Sequence, residues 1–248
     1  MDRRKTSHLI MGLNVKSLRI AKRFCGPPTS ANGGYFAGLV AALAPHTLSV
    51  RLKVPPPLDT ALSVIESWDG RVEVRHGDTV IGEGNPATLD LQPPRPPSHQ
   101  ESIKASGNYA GFVCHAFPTC FVCGVHRTYG DGLCIYAGEV PGQDIVAAPW
   151  TPDPSLNRGD GSVRPEFMSA ALDCPGYFAV TPGERVMLLA QFTAQTERLA
   201  RIGEPCTVIG WRVSSNGRKH EAGTAVFGAD GELCGRALAM WIEPRGTG

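Results

Sequence analysis

The chain has almost no net charge: 24 Lys and Arg stand against 23 Asp and Glu in 248 residues, a formal +1. Nucleic-acid binders normally carry a basic excess, so that class is set aside. No apolar run approaches the roughly 20 residues of a membrane span. The basic segment Met1 to Phe24 holds only a short apolar piece, Leu9 to Leu13, and no small-residue cleavage site, so no signal peptide is read there. A soluble, cytoplasmic protein is the expectation. Gly-x-Ser-x-Gly is missing, which removes a serine-nucleophile elbow. Gly-x-Gly-x-x-Gly and the P-loop are missing too, which removes the usual phosphate cradles.

What is present points to a globular protein, with 42% hydrophobic and 19% charged residues. The length fits one large domain or two of roughly 120 residues. Glycine (29) and proline (21) are abundant, and the prolines concentrate at Pro55–Pro57 and between Pro93 and Pro97. The polar stretch Gln92 to Asn108 has neither a helical nor a strand period and reads as a linker. The expected division is therefore 1–92, a linker over 93–117, and 118–248. The eight cysteines, with no secretion signal read in the sequence, are expected mostly to be reduced, small apolar residues.

The two halves repeat an order of elements. The first has an apolar helix over Asn32–Ala44, then strands over Leu48–Val54, Ala61–Trp68, Arg71–Arg75 and Thr79–Leu91. The second has a helix over Arg164–Val180, then strands over Arg185–Leu199, Thr207–Ser214, Arg218–Phe227 and Glu232–Glu243. Asp69-Gly70 and Asn216-Gly217 supply the positive φ that tight hairpins demand, at matching places. Phe36–Ala44 and Phe167–Leu172 are apolar nearly all round, so each helix must be covered on every side. A buried helix with a curved antiparallel sheet around it, occurring twice, is an α+β plan.

Asp173 stands out as a carboxylate inside an apolar helical stretch, where burial costs several kcal/mol unless it is paired. Such burial raises a carboxyl pKa towards the range of a general base. The competing reading is that Asp173 caps a new helix, since Cys174-Pro175-Gly176 follows. Gly33 and Gly34 open the first helix, where free N–H groups can polarise a carbonyl and glycine permits close approach. Asn32 adds a donor there or caps the helix, with capping favoured. Cys114, Cys120, Cys123 and His126 contain only one well-spaced zinc pair, so zinc is not expected at that set. No metal or other cofactor is expected.

This plan, with Asn32-Gly33-Gly34-Tyr35-Phe36-Ala37, Cys120-Phe121-Val122-Cys123-Gly124, Gly132-Leu133 and Leu172-Asp173, resembles the hotdog fold of the acyl-CoA thioesterase superfamily. The first half looks like the thioesterase II type, and the second like hotdogs that begin with Cys-Phe-x-Cys-Gly. The resemblance implies two tandem hotdogs forming an intramolecular pseudo-dimer, and hydrolysis of an acyl-CoA in lipid metabolism. It implies Asp173 as base or nucleophile, Gly33, Gly34 and Asn32 at the oxyanion, and Thr193 or Gln195 orienting water. Thr196 is a second position for the threonine. Tyr35, Tyr177 and Phe178 become candidates for the acyl tunnel, and Arg164, Arg198 and Arg201 for a CoA phosphate. Coenzyme A enters only as part of the substrate, and homo-oligomers are expected because curved sheets leave edges. The last strand, Arg236–Trp241, lacks the glutamine of thioesterase II enzymes. That departure keeps open a non-catalytic protein that binds acyl-CoA or another apolar ligand. A hydroxyacyl-thioester dehydratase ranks lower, because neither predicted helix contains the histidine such enzymes pair with a carboxylate.

Overall fold

A computed structural model describes residues 16–181 and 186–245. The apolar run after Asn32 forms helix α1 (Gly33–Ala41). Its start is fixed by the Asn32 side chain, which accepts from the Tyr35 N–H at 2.9 Å. The second apolar stretch does not form one helix over Arg164–Val180. It splits into α3 (Pro165–Ala171) and α4 (Cys174–Val180). Pro175 explains the break: it has no N–H to donate, and its ring clashes with the carbonyl four residues back in a continuous helix. Asp173 therefore sits at the joint, immediately before α4, and its side chain makes no capping bond.

The strands are β1 (Lys16–Arg19), β2 (Leu48–Leu52), β3 (Ala61–Glu66), β4 (Val72–His76) and β5 (Thr79–Pro86), then β6 (Gly138–Glu139), β7 (Ile145–Trp150), β8 (Leu188–Thr196), β9 (Cys206–Asn216), β10 (Lys219–Phe227) and β11 (Leu233–Ile242). All eleven lie in one sheet, in the order β1-β3-β4-β5-β2-β8-β11-β10-β9-β7-β6. The β2–β8 pair is the seam between the two parts, with Ser49, Val50 and Arg51 opposite Thr193, Phe192 and Gln191. Outward from the seam the connectivity is the same on both sides: β2-β5-β4-β3 in one direction and β8-β11-β10-β9 in the other. Gly70 and Gly217, with φ of 81° and 57°, turn the β3–β4 and β9–β10 hairpins where Asp-Gly and Asn-Gly were expected to.

The stretch read as a linker departs from the sequence reading. Within the expected linker, α2 (His99–Ser106) forms behind a capping box in which Ser98 and Glu101 satisfy each other's backbone N–H. It buries Ala105 and Ser102. The Ser98-x-x-Glu101 spacing carried that signal, but eight mostly polar residues gave too short a period to reveal it. Strands β1, β6 and β7 were also not anticipated. β5 stops at Pro86 instead of running to Leu91, consistent with proline's missing donor. The expected start of β8 at Arg185 and the apolar piece Leu9–Leu13 lie outside the described residues.

Helix α1 crosses α3 on glycine. A Cβ on Gly34 would lie 2.5 Å from the Asp173 Cβ and 2.7 Å from the Ser169 carbonyl. One on Gly38 would lie 2.7 Å from the Ser169 Cβ and 2.8 Å from the Glu166 Cα. Two glycines four residues apart share one helix face, so α1 presents a smooth stripe that lets the two backbones approach. Around the crossing, Phe36, Val40, Phe167, Met168 and Leu172 are all at most 1% exposed. Substituting Gly38→Val should lower unfolding free energy by about 1–3 kcal/mol, because Glu166 contributes backbone that cannot swing away. Urea denaturation checks this, and an unchanged midpoint would contradict the close crossing.

Candidate active site

The α1–α3 crossing brings the start of α1 against the joint between α3 and α4, and there the polar groups converge. Asp173 is 2% exposed. Its Oδ2 accepts from the Asn32 Nδ2 at 2.6 Å and from the Gly34 N–H at 2.9 Å. Its Oδ1 is buried without a hydrogen-bond partner among the described residues. Burial pushes the Asp173 carboxyl up to about 7; the Gly34 N–H pulls it down, nearby Cys120 adds to the rise, and the Asn32 amide pulls it down again.

A cavity of about 470 Å³ opens beside this carboxyl. Asn32, Gly33, Asp173, Cys174, Tyr177 and Trp241 are among its walls. The remaining lining is mostly apolar, including Val54, Pro56, Met187 and Leu189. Gly33 is the first residue of α1, so its N–H has no acceptor within the helix. A Cβ there would lie 2.7 Å from Leu189 Cδ2. The Trp241 indole N–H is likewise buried without a hydrogen-bond partner among the described residues. Among the residues of this wall, Asp173 and Trp241 each carry a buried polar atom without a partner, and Gly33 an N–H without an acceptor in the helix.

The residues singled out from sequence separate into four groups. Asn32, Gly33, Gly34 and Asp173 come together, but with divided tasks. Asn32 both caps α1 and holds the carboxylate. Gly34 gives its N–H to Asp173 and so has none left for a carbonyl. Tyr177 lines the cavity, whereas Tyr35 stacks on Phe24 at 4.4 Å and Phe178 packs on Tyr109 at 4.5 Å.

Thr193 and Gln195 lie elsewhere. Thr193 donates to Ser49 Oγ at 2.9 Å across the seam, and Gln195 accepts from Arg236 at 3.1 Å. The candidate phosphate arginines are engaged: Arg164 with Glu166 at 3.2 Å, and Arg198 with Glu204 and Asp230 at 2.7 and 3.1 Å. Arg201 gives its backbone N–H to Glu204 at 2.8 Å.

Sequence reasoning did not place His115, Cys120, Cys123, Cys174 and Trp241 at one cavity, as the fold does. The His115 Nδ1 accepts from the Phe117 N–H at 3.0 Å, so its Nε2 carries the proton and donates to the Cys123 carbonyl at 3.1 Å. Burial holds the His115 pKa below the usual histidine value.

No protein-family model matches this chain, and no curated protein matches it by sequence. Solved structures do. A protein described as a thioesterase from Novosphingobium aromaticivorans DSM 12444 superposes with a TM-score of 0.61 at 13% identity, covering 93% of this chain and 96% of that one. One described as thioesterase II from Thermobifida fusca YX gives 0.58 at 14% identity, covering 95% and 94%. A conserved protein with a hot dog fold from Alicyclobacillus acidocaldarius gives 0.59 at 10%, covering 93% of each.

The buried carboxyl makes a stability prediction. Its folded-state pKa lies above the unfolded value, so the unfolded chain ionises first as pH rises from about 4 to about 7, and stability falls across that window. Asp173→Asn keeps an oxygen for Asn32 and Gly34 and removes the ionisation. In chelator-containing buffer the variant should be more stable than wild type at pH 8 by roughly 1–4 kcal/mol, with the gain shrinking towards pH 4. Denaturation at both pH values measures it, and a pH-independent difference would mean that the charge is not what burial penalises.

Sequence identity in these comparisons is low throughout, and what they establish is architecture: this chain is a hotdog-fold protein whose full-length structural neighbours include proteins described as thioesterases.

Proposed function

We propose that the chain hydrolyses an acyl-CoA thioester in the cavity beside Asp173. One observation carries this: a buried carboxylate is held by one oxygen, through Asn32 and Gly34, while its other oxygen lacks a partner among the described residues, in the wall of a mostly apolar cavity. A carboxylate placed for packing would be satisfied on both oxygens. The fold supports the same reading, since hotdog neighbours described as thioesterases cover nearly the whole chain.

In this mechanism the acyl chain lies along the apolar wall, and the Gly33 N–H donates to the thioester carbonyl. Asp173 Oδ1 takes a proton from water as the water oxygen bonds to the carbonyl carbon. The C–S bond then breaks, and the proton passes from Asp173 to the departing thiolate, giving a carboxylic acid and a thiol. Gly34 acts as a positioning residue for the carboxylate. We also read the sheet as two tandem hotdogs joined at β2–β8: β1–β5 with α1 form one, β6–β11 with α3 and α4 the other, and α2 lies in the connection. The site then belongs to both, because Asn32 and Asp173 come from opposite halves.

The test is free-thiol release from acyl-CoAs of graded chain length, wild type beside Asp173→Asn. Turnover should fall on the order of 100-fold or more in the variant. Undiminished turnover would overturn the assignment. Thr193 and Gln195 lie away from the cavity, and this favours a second reading, a protein that binds acyl-CoA without cleaving it. Thermal stabilisation of wild type by acyl-CoA, with no thiol released, would select that one.

A further inference from the structure

Three cysteines that the proposed hydrolysis does not use meet at the same wall. Cys120 and Cys123 come from the loop between α2 and β6, and Cys174 begins α4. All three are buried and unbridged. Their sulfurs all lie within 4.8 Å of one another, and those of Cys120 and Cys174 are 3.6 Å apart. With metal–sulfur bonds of about 2.3 Å, two thiolates on a tetrahedral zinc ion sit about 3.8 Å apart. The spacing is that of an edge of such a tetrahedron.

The loop holds the Cys120 and Cys123 sulfurs on a tight turn, which closes with the Gly124 N–H donating to the Cys120 carbonyl at 2.9 Å. Only glycine fits after Cys123, since a Cβ on Gly124 would lie 2.5 to 2.6 Å from backbone atoms of Cys120 and Pro118. This turn brings the Cys120 and Cys123 sulfurs within 4.8 Å of each other. The Asn32 Nδ2 donates towards the Cys120 and Cys174 sulfurs, each at 3.9 Å, as well as to Asp173. An outer group that orients ligands in this way is what metal sites require.

We propose that Cys120, Cys123 and Cys174 form a three-thiolate zinc site in the cavity wall, with the fourth position open to a ligand from the cavity. All three cysteines line that cavity. His115 does not supply the fourth ligand, because both of its ring nitrogens are already hydrogen-bonded. The set differs from the one weighed from sequence: Cys114 is exposed, His126 is not in the cluster, and Cys174 replaces them. Through Asn32 the ion would also steady Asp173.

The site stands whether or not the chain is a hydrolase, because its test reads metal and not turnover. The reduced, full-length protein, freed of metal by chelation, is titrated with zinc and, separately, with cobalt(II) as a spectroscopic reporter. The expected result is one ion per chain, with thiolate-to-cobalt charge-transfer absorption of an intensity that counts three sulfurs in the unaltered protein. Cys174→Ser should weaken binding on the order of 100-fold or more, and Cys114→Ser should leave it unchanged. Failure of the wild type to bind either ion, a spectrum without thiolate charge transfer, or binding that survives Cys174→Ser in folded protein would each overturn the proposal. Because the wild-type spectrum counts sulfurs by itself, an unfolded variant does not blunt the test.

Discussion

The Asp173 carboxylate, held across the helix crossing by Asn32 and the Gly34 N–H, is the interaction around which the rest of the structure is arranged. It demands that the start of α1 reach the joint between α3 and α4. That in turn demands glycine at 34 and 38, because any side chain there would strike Ser169, Glu166 or Asp173 itself. It also demands that the second apolar stretch be broken, because an unbroken helix would give Asp173 no joint to occupy. Pro175 makes the break. The constraint is therefore written three times, in a carboxylate, in two glycines and in a proline. Gly38 serves the helix crossing itself, while Gly34 and Pro175 also serve the carboxylate.

The cost of this arrangement falls on charge. A carboxyl in a dry wall resists ionisation, and two donors on one oxygen only partly offset that. The same wall carries three thiols and an indole N–H, all on residues at most 6% exposed. Natural cores seldom gather so many polar groups unless something binds to them. The remaining lining of the cavity is mostly apolar, and it is this contrast with the polar cluster that the proposed acyl-thioester chemistry uses.

Much of this was legible in the sequence, for identifiable reasons. Asp173 announced itself by standing alone among Leu172, Ala171 and Ala170. The hairpins announced themselves through Asp69-Gly70 and Asn216-Gly217, where turn chemistry is local. The repeat of helix and four strands survived into matching strand orders on either side of the seam. What was hidden depended on distance along the chain. Thr193 and Gln195 share β8 with Leu188, Leu189 and Ala190, which do reach the cavity, but a bulge at Ala190, opposite Met240 and Trp241, breaks the two-residue alternation between them, and nothing local announces it. Gly34 was read as a donor to a ligand because nothing local says that Asp173, 139 positions away, already claims its N–H. Cys174 looked like a core thiol until the fold carried it to the Cys120–Cys123 turn. The helix α2 was missed because its period is two turns long.

The Asn32–Asp173 bond joins residues 141 positions apart in one covalent chain. A site built between two separate molecules dissolves on dilution; this one is unimolecular, and its assembly carries no dependence on protein concentration. The same separation makes it one of the costliest loops to close, so this contact belongs among those a folding chain forms late. A partly folded chain cannot hold the carboxylate in this way, so the polar cluster and the cavity wall beside it are completed together.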